Sequence, residues 1–218
     1  MLRAAMPVPR LRRLVLAALL LVVVLGGCGG GGDDGGDGDP TADITTALQT
    51  ALTSSDAAVL CERALSAGLV TRVYGSKARC LQVEKAAAAS RAAAGAAQVS
   101  QVKADGDRAT AYVVMRGGDQ DGARGALSVV REDGAWRLDD LSTAFLRSGF
   151  SAGLSSGGEL QANLIDCVGK RVVALSDPAL RALAFGAMGG RPEAQAQLRD
   201  LVTACIQSLS APSAGQVS

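Results

Sequence analysis

The chain has 218 residues, 22 basic and 21 acidic side chains, no histidine, and only 3% aromatics. Without histidine there is no Ser-His-Asp or Cys-His catalytic set and no histidine-based metal site. The balanced charge leaves no basic footprint for nucleic acid, and a core poor in aromatics must be built from Ala, Val and Leu, which bury little area each.

The N-terminus is positively charged: Arg3, Arg10, Arg12 and Arg13 precede any acidic residue. Leu14 to Leu25 is then an unbroken run of 12 Leu, Val and Ala residues, followed by Gly26 and Gly27. A spanning helix needs about 20 apolar residues. A charged start, a short apolar run and small residues at a cleavage site instead read as a secretory signal over 1–27. The tetrapeptide Leu25-Gly26-Gly27-Cys28 resembles a bacterial lipobox. That resemblance implies that the Cys28 thiol takes diacylglycerol as a thioether and that the chain is cut just before it. Cys28 is then the lipid-attachment residue of a palmitate-type lipoprotein on the extracytoplasmic face of the cell membrane. The alternative is an ordinary signal whose cleavage site contains a cysteine. Loss of the four arginines leaves 18 basic against 21 acidic residues, a net charge of −3. The exported form is therefore mildly acidic.

Residues 28–40 comprise Cys28 and GGGGDDGGDGDP. Glycine makes this tether flexible and the aspartates repel, so its 12-residue coil spans on the order of 20 Å. It lacks the ligand spacing of a calcium loop and the Lys-Ser/Thr of a phosphate loop.

Residues 41–94 are expected to be helical. Pro40, Thr41 and Asp43 offer a start, and Ile44, Leu48, Ala51 and Leu52 share one face. Ser54-Ser55-Asp56 breaks that helix and caps a second, which carries Ala58, Leu60, Cys61, Leu65 and Leu69. A turn near Gly75-Ser76 leads to a third helix with Cys80, Leu81 and Val83. From Ala97 the period falls to two, predicting strands near 97–104, 108–116, 124–131 and 135–140. Asp105-Gly106-Asp107 and Asp133-Gly134 supply hairpin turns. Both faces of the second strand are fairly apolar, so one packs on helices and the other is open to a ligand or partner. The loop from Gly117 to Gly125, with Asp119 and Asp121, reads as solvated rather than as a metal site.

The segment 151–158, SAGLSSGG, reads as a second breaker. Helical spacing then returns in Leu160, Leu164, Cys167, Val168 and Leu175. Asp177-Pro178 starts another helix, with Asp177 as N-cap. Pro192 starts the last, whose stripe of Leu198, Leu201, Val202, Cys205, Ile206 and Leu209 is expected to be buried in a helical bundle. Its polar side lacks the basic cluster of a membrane-surface helix. The tail from Pro212 is expected to be disordered. Four cysteines remain beside Cys28, an even number in an exported chain, where disulfides persist. Four allow three connectivities. Cys61–Cys80 and Cys167–Cys205 are chosen because each pair falls within one module. No Cys-x-x-Cys is present, so no metal or other cofactor is expected.

The predicted fold class is α+β: N-terminal helices packed on a curved antiparallel sheet over 41–150, then a small disulfide-stapled helical module over 151–218. Helices followed by a meander with a late Gly-x-Trp resemble the nuclear transport factor 2-like superfamily. The carrying residues are Asp105-Gly106-Asp107-Arg108-Ala109-Thr110-Ala111 and Arg131-Glu132-Asp133-Gly134-Ala135-Trp136-Arg137-Leu138. The resemblance covers about 41–150 and implies a cone enclosed by sheet and helices. Some members of that group bind small apolar ligands there, some are enzymes, and related folds dimerise through the sheet.

Three functional readings follow. The first is a membrane-anchored, non-catalytic module that binds an envelope protein or a second copy of itself. The second is a carrier of a small apolar or lipid-like ligand, with Tyr112, Val114 and Trp136 as candidate liners; in the bland reading these three simply fill the core. The third is an isomerase- or hydrolase-like enzyme. It has the least support: the acidic base with Tyr and Asp donors used by ketosteroid isomerases has no counterpart among the strands, and Glu132, Asp133, Asp139 and Asp140 sit at turns or strand ends. No catalytic residue is assigned.

If Cys28 carries the lipid, Cys28→Ala releases the protein from the membrane, because each acyl CH₂ contributes about 0.8 kcal/mol to anchoring. Detergent partitioning checks this: a mutant that stays in the detergent phase like wild type refutes the assignment.

Overall fold

A computed structural model describes residues 39–88, 95–156 and 161–210. The chain divides into two units, Met1–Asp37 and Gly38–Ser218. The signal run, Cys28, most of the tether, Leu160 and the tail from 211 lie outside the described residues. The second unit is α+β, with eight α-helices among the described residues and one antiparallel sheet of four strands in the order β1-β2-β3-β4, not closed into a barrel.

The strands are β1 (Ala96–Asp105), β2 (Arg108–Arg116), β3 (Arg124–Glu132) and β4 (Ala135–Leu141). Each boundary lies close to where the alternation places it. Asp133 and Gly134 have φ of 52° and 77°. Both are left-handed, as a two-residue hairpin turn requires, and Glu132 pairs with Ala135 across it. On β2, Ala109, Ala111, Val113 and Met115 are buried, while Thr110 and Arg116 are exposed. A register shift at Ser128/Val129 pairs Asp140 with Ser128 but Leu138 with Val129. This bulge lets Leu138 and Leu141, three residues apart, both turn inward.

Helix α1 (Thr41–Thr53) buries Ile44 and Leu48 completely and packs on β1 and β4. Asp56 then accepts from the N–H groups of Ala58 and Val59, capping α2 (Ala57–Val59). The expected second helix does not run on to Leu69. It widens into a π turn (Leu60–Ala64) and stops, because Leu65 takes up an extended conformation and bridges to Leu138 of β4. The Ser66 N–H donates to the Leu138 carbonyl at 2.9 Å, and the Ser66 hydroxyl accepts from the Leu69 N–H, starting α3 (Ala67–Tyr74). Gly75, at φ 80°, ends α3 as its left-handed C-cap and leads to α4 (Lys77–Ala88).

The segment 151–156 is also not a breaker. It is the end of α5 (Thr143–Ser156). The hydroxyls of Ser148, Ser151 and Ser155 donate to carbonyls one turn back, which satisfies them within the helix. Three helices follow: α6 (Ala162–Val173), α7 (Asp177–Met188) and α8 (Pro192–Ser210). Leu175 falls beyond the end of α6. The N-cap of α7 is Ser176, whose backbone is extended, and Asp177 is the first helical residue; its carboxylate binds Arg147 at 2.7 Å and the Thr143 hydroxyl at 3.2 Å. On α8 the apolar stripe divides: Cys205 is buried, Leu201 and Val202 are partly buried, and Ile206 and Leu209 are about half exposed.

Arginines from the second half fasten the unit. Arg147 donates to the Val173 carbonyl, and at 2.9 Å to that of Leu175, satisfying the end of α6. Arg181 on α7 reaches Asp140 at 2.6 Å and the Leu141 carbonyl at 2.9 Å. Arg191 binds the carbonyls of Arg72 and Val73 at the end of α3. Gly189 makes that approach feasible: a Cβ there would lie 2.1 Å from the Val73 carbonyl oxygen. One cluster of buried side chains runs from Ile44 through the sheet to Leu180 and Cys205.

Both expected disulfides are formed: Cys61–Cys80 with Cα atoms 5.9 Å apart and Cys167–Cys205 at 5.8 Å. The first joins the π turn to α4 and the second joins α6 to α8. Their sequence separations of 19 and 38 correspond to about 3 and about 4 kcal/mol in the loop-closure model. Reduction is therefore expected to lower the denaturant midpoint markedly in equilibrium unfolding. Coincident curves with and without reductant would contradict this.

The hydrogen bond from Arg147, then that from Thr143, holds the Asp177 carboxyl below its ordinary value. A lowered folded-state value stabilises at neutral pH, and the contribution is lost as pH falls through the carboxylate range, about 4 and below. Asp177→Asn should thus melt modestly earlier than wild type at pH 7, and the gap should shrink as pH falls below the ordinary carboxylate range. A gap that stays the same size below that range would contradict the assignment.

Candidate functional site

The inner face of the sheet and the helices around it border a half-open cavity of about 580 Å³. Met115, Leu138 and Leu141 form the sheet wall, and Leu52 of α1 borders it. From α3 come Leu69, Val73 and Tyr74. From α5 come Leu146, Gly149, Phe150, Gly153 and Leu154, the i, i+3, i+4, i+7, i+8 stripe of one helix face. Ala184, Ala187 and Met188 of α7 complete the wall. Three of the chain's six aromatic side chains, Tyr74, Phe145 and Phe150, face this space. The glycines of α5 leave room for the 118–120 turn: a Cβ on Gly149 would stand 3.0 Å from Oε1 of Gln120.

Polar groups on the lining are few. Asp119 and Gln120 are exposed, and Ser54 lies at the end of α1. Tyr74 and Glu84 are buried, with relative exposures of 8% and 6%, and the Tyr74 hydroxyl donates to Glu84 Oε1 at 2.6 Å. Local structure brings the two together. Tyr74 ends α3, Gly75 reverses the chain, and α4 returns with Cys80 and Glu84, its buried residues, one turn apart on one face. The Cys80 disulfide to Cys61 turns that face inward.

None of the three liners named from the sequence borders the cavity. Tyr112 and Val114 are half-buried on the opposite face of β2, since period two sets them against Ala111, Val113 and Met115. Tyr112 instead lines a second hollow of about 490 Å³ with Arg124, Arg147 and Ser148. There Arg147 is engaged with Asp177, and Ser148 with the Arg124 backbone. Trp136 shares the inner face with Leu138 but is packed into the core cluster. Sequence reasoning missed Tyr74, Glu84 and Met115. The available signals were the spacing of Glu84 four residues after Cys80, and the parity of Met115 with Ala111 and Val113.

Four other carboxylates have structural partners. Asp139 accepts from the Ser66 hydroxyl at 2.6 Å and from Arg72, Asp140 pairs with Arg181, and Glu132 accepts from the Ala67 N–H at 3.1 Å. Asp121 accepts from the Gly117 N–H within its own loop. Ser66 is fully buried and spends its hydroxyl on the α3 cap and on Asp139. Among the described residues no three Cys, Asp or Glu side chains group as a metal site. Comparison with protein-family models, with curated proteins and with solved structures finds no match to this chain.

Proposed function

We propose that this chain is an extracytoplasmic lipoprotein, anchored through Cys28, whose folded unit is a non-catalytic, nuclear transport factor 2-like module that holds a small apolar ligand between sheet and helices. The observation that carries this reading is the cavity of about 580 Å³. Ligand sites typically occupy 300–1,000 Å³, with mostly apolar walls and a few placed polar groups. Leu, Phe, Val, Met and Ala walls with one buried Tyr–Glu pair match that description. The sequence features in favour are the lipobox-like Leu25-Gly26-Gly27-Cys28, the glycine/aspartate tether, and the helices-then-meander order. Docking of an envelope protein or a second copy on the outer sheet face has less support. That face carries Lys103, Arg108, Thr110, Arg124 and Ser128 around Tyr112 and Val114.

Mass spectrometry of small molecules that co-purify with the full chain in lipid nanodiscs tests the proposal. Wild type should retain an apolar molecule above the nanodisc background. Ala187→Trp, which puts an indole into the cavity from a half-buried position, should lose it. Equal retention by both proteins, or no retention by wild type, would sink the reading.

A further inference from the structure

We infer that the hollow of about 490 Å³ on the outer side of the sheet is a second binding site, and that it takes a phosphate ester group through Arg124, Tyr112 and Ser142. This site is separate from the apolar cavity and does not rest on the reading given to it. The hollow arises where β4 ends. Leu141, the last residue of β4, pairs with Leu127, so residues 124–126 of β3 have α5 beside them in place of a strand. The junction is fastened: the Ser142 N–H donates to the Ala126 carbonyl at 3.1 Å, and the Ser148 hydroxyl accepts from the Arg124 N–H and donates to its carbonyl, both at 2.8 Å. Ala126, opposite Tyr112, and Ala144 of α5 are too small to fill the space between them.

Two arginines and no carboxylate line the hollow. Arg147 is matched by Asp177 at 2.7 Å and by the carbonyls of Val173 and Leu175. Arg124 is exposed, and its guanidinium has no ion pair or hydrogen bond among the described residues. The Tyr112 hydroxyl is likewise without a partner there. The Ser142 hydroxyl accepts from the Phe145 N–H at 3.2 Å and keeps its own proton to donate. Three unspent donor groups, one of them cationic, therefore border a space that holds no anion of its own. Arg124 pairs with Val114 and Tyr112 with Ala126, which makes Arg124 and Tyr112 diagonal neighbours. That separation is roughly 7–8 Å along the backbone, within the span of two long side chains closing on one group. They approach from the sheet, and Ser142 approaches from the start of α5. A tetrahedral phosphate offers oxygens in several directions at once, whereas a carboxylate offers two in one plane, and guanidinium pairs well with phosphate oxygens. The hollow is larger than a bare ion and within the size range of small-molecule sites, so the group is an ester with a body attached. A soluble phosphate ester and a phospholipid head group share this chemistry.

Titration calorimetry on the full chain in phosphate-free maltoside micelles, at fixed ionic strength, tests the site with three probes. Glycerol 3-phosphate stands for a soluble ester, glycerophosphoglycerol for a lipid head group freed of its acyl chains, and acetate for a carboxylate. At least one phosphate probe should bind wild type saturably, and the tighter of the two identifies the source. Acetate should bind at least about tenfold more weakly, the equivalent of one charged hydrogen bond fewer. Arg124→Gln should weaken the tighter probe at least about tenfold, and Tyr112→Phe about threefold. Arg124 is exposed and Tyr112→Phe keeps the ring, so both variants should unfold thermally as wild type does. Arg108→Gln, which removes a cation of the same sheet face outside the hollow, should bind like wild type. Four results would overturn the inference: no saturable binding of either phosphate probe, acetate as tight as the better of them, unchanged affinity in Arg124→Gln or Tyr112→Phe, or an equal loss in Arg108→Gln. None of the probes carries an acyl chain, so the apolar cavity stands or falls on its own test.

Discussion

The Cys61–Cys80 cross-link is the constraint on which the site depends. It fastens a π turn to α4, and both sulfurs are buried. With α4 held by Cys80, Glu84 one turn on is buried against Tyr74. The same π turn ends where Leu65 bridges to Leu138. That bridge delivers Ser66 to cap α3, and α3 in turn presents Leu69, Val73 and Tyr74 to the cavity. A covalent bond, one backbone bridge and one hydroxyl cap thus set two walls of the site.

The cavity also follows from composition. With six aromatic residues in 218, the space between sheet and helices is bordered mainly by Leu, Val, Met and Ala, and Gly149 and Gly153 thin the α5 wall further. Space that well-packed cores close at a gain in dispersion and transfer energy stays open here. Arg147, Arg181 and Arg191 satisfy helix-end carbonyls and carboxylates, so α5 and α7 are fixed by charge-assisted bonds at their ends. Helix α7 is therefore part of the site, since it supplies Ala184, Ala187 and Met188.

Features that depend on short-range chemistry were legible in the sequence. Alternation along 108–116, left-handed Asp133-Gly134, Pro192 at a helix start and the two disulfide pairs are all local or combinatorially simple. Features set by tertiary contact were not. The break at Leu65 arises from a partner in β4, 73 residues away, against an uninterrupted helical pattern. The glycine- and serine-rich stretch 151–156 is helical because its apolar side, Ala152 and Leu154 after Phe150, packs against the core, and its serine hydroxyls are satisfied within the helix. Tyr112 and Val114 look like liners when aromatic and β-branched character alone is weighed. Parity along β2 puts them on the other face, and the bulge at Ser128/Val129, which no residue type announces, turns Leu138 and Leu141 inward.

The most direct measurement is a high-resolution crystal structure of the protein taken from its native membrane without added ligand. The expected result is continuous density inside the cavity, running along Phe150 and Leu138. A cavity closed by inward movement of α5 and α7, or one holding only ordered water against Glu84, would contradict the assignment of this space to a ligand.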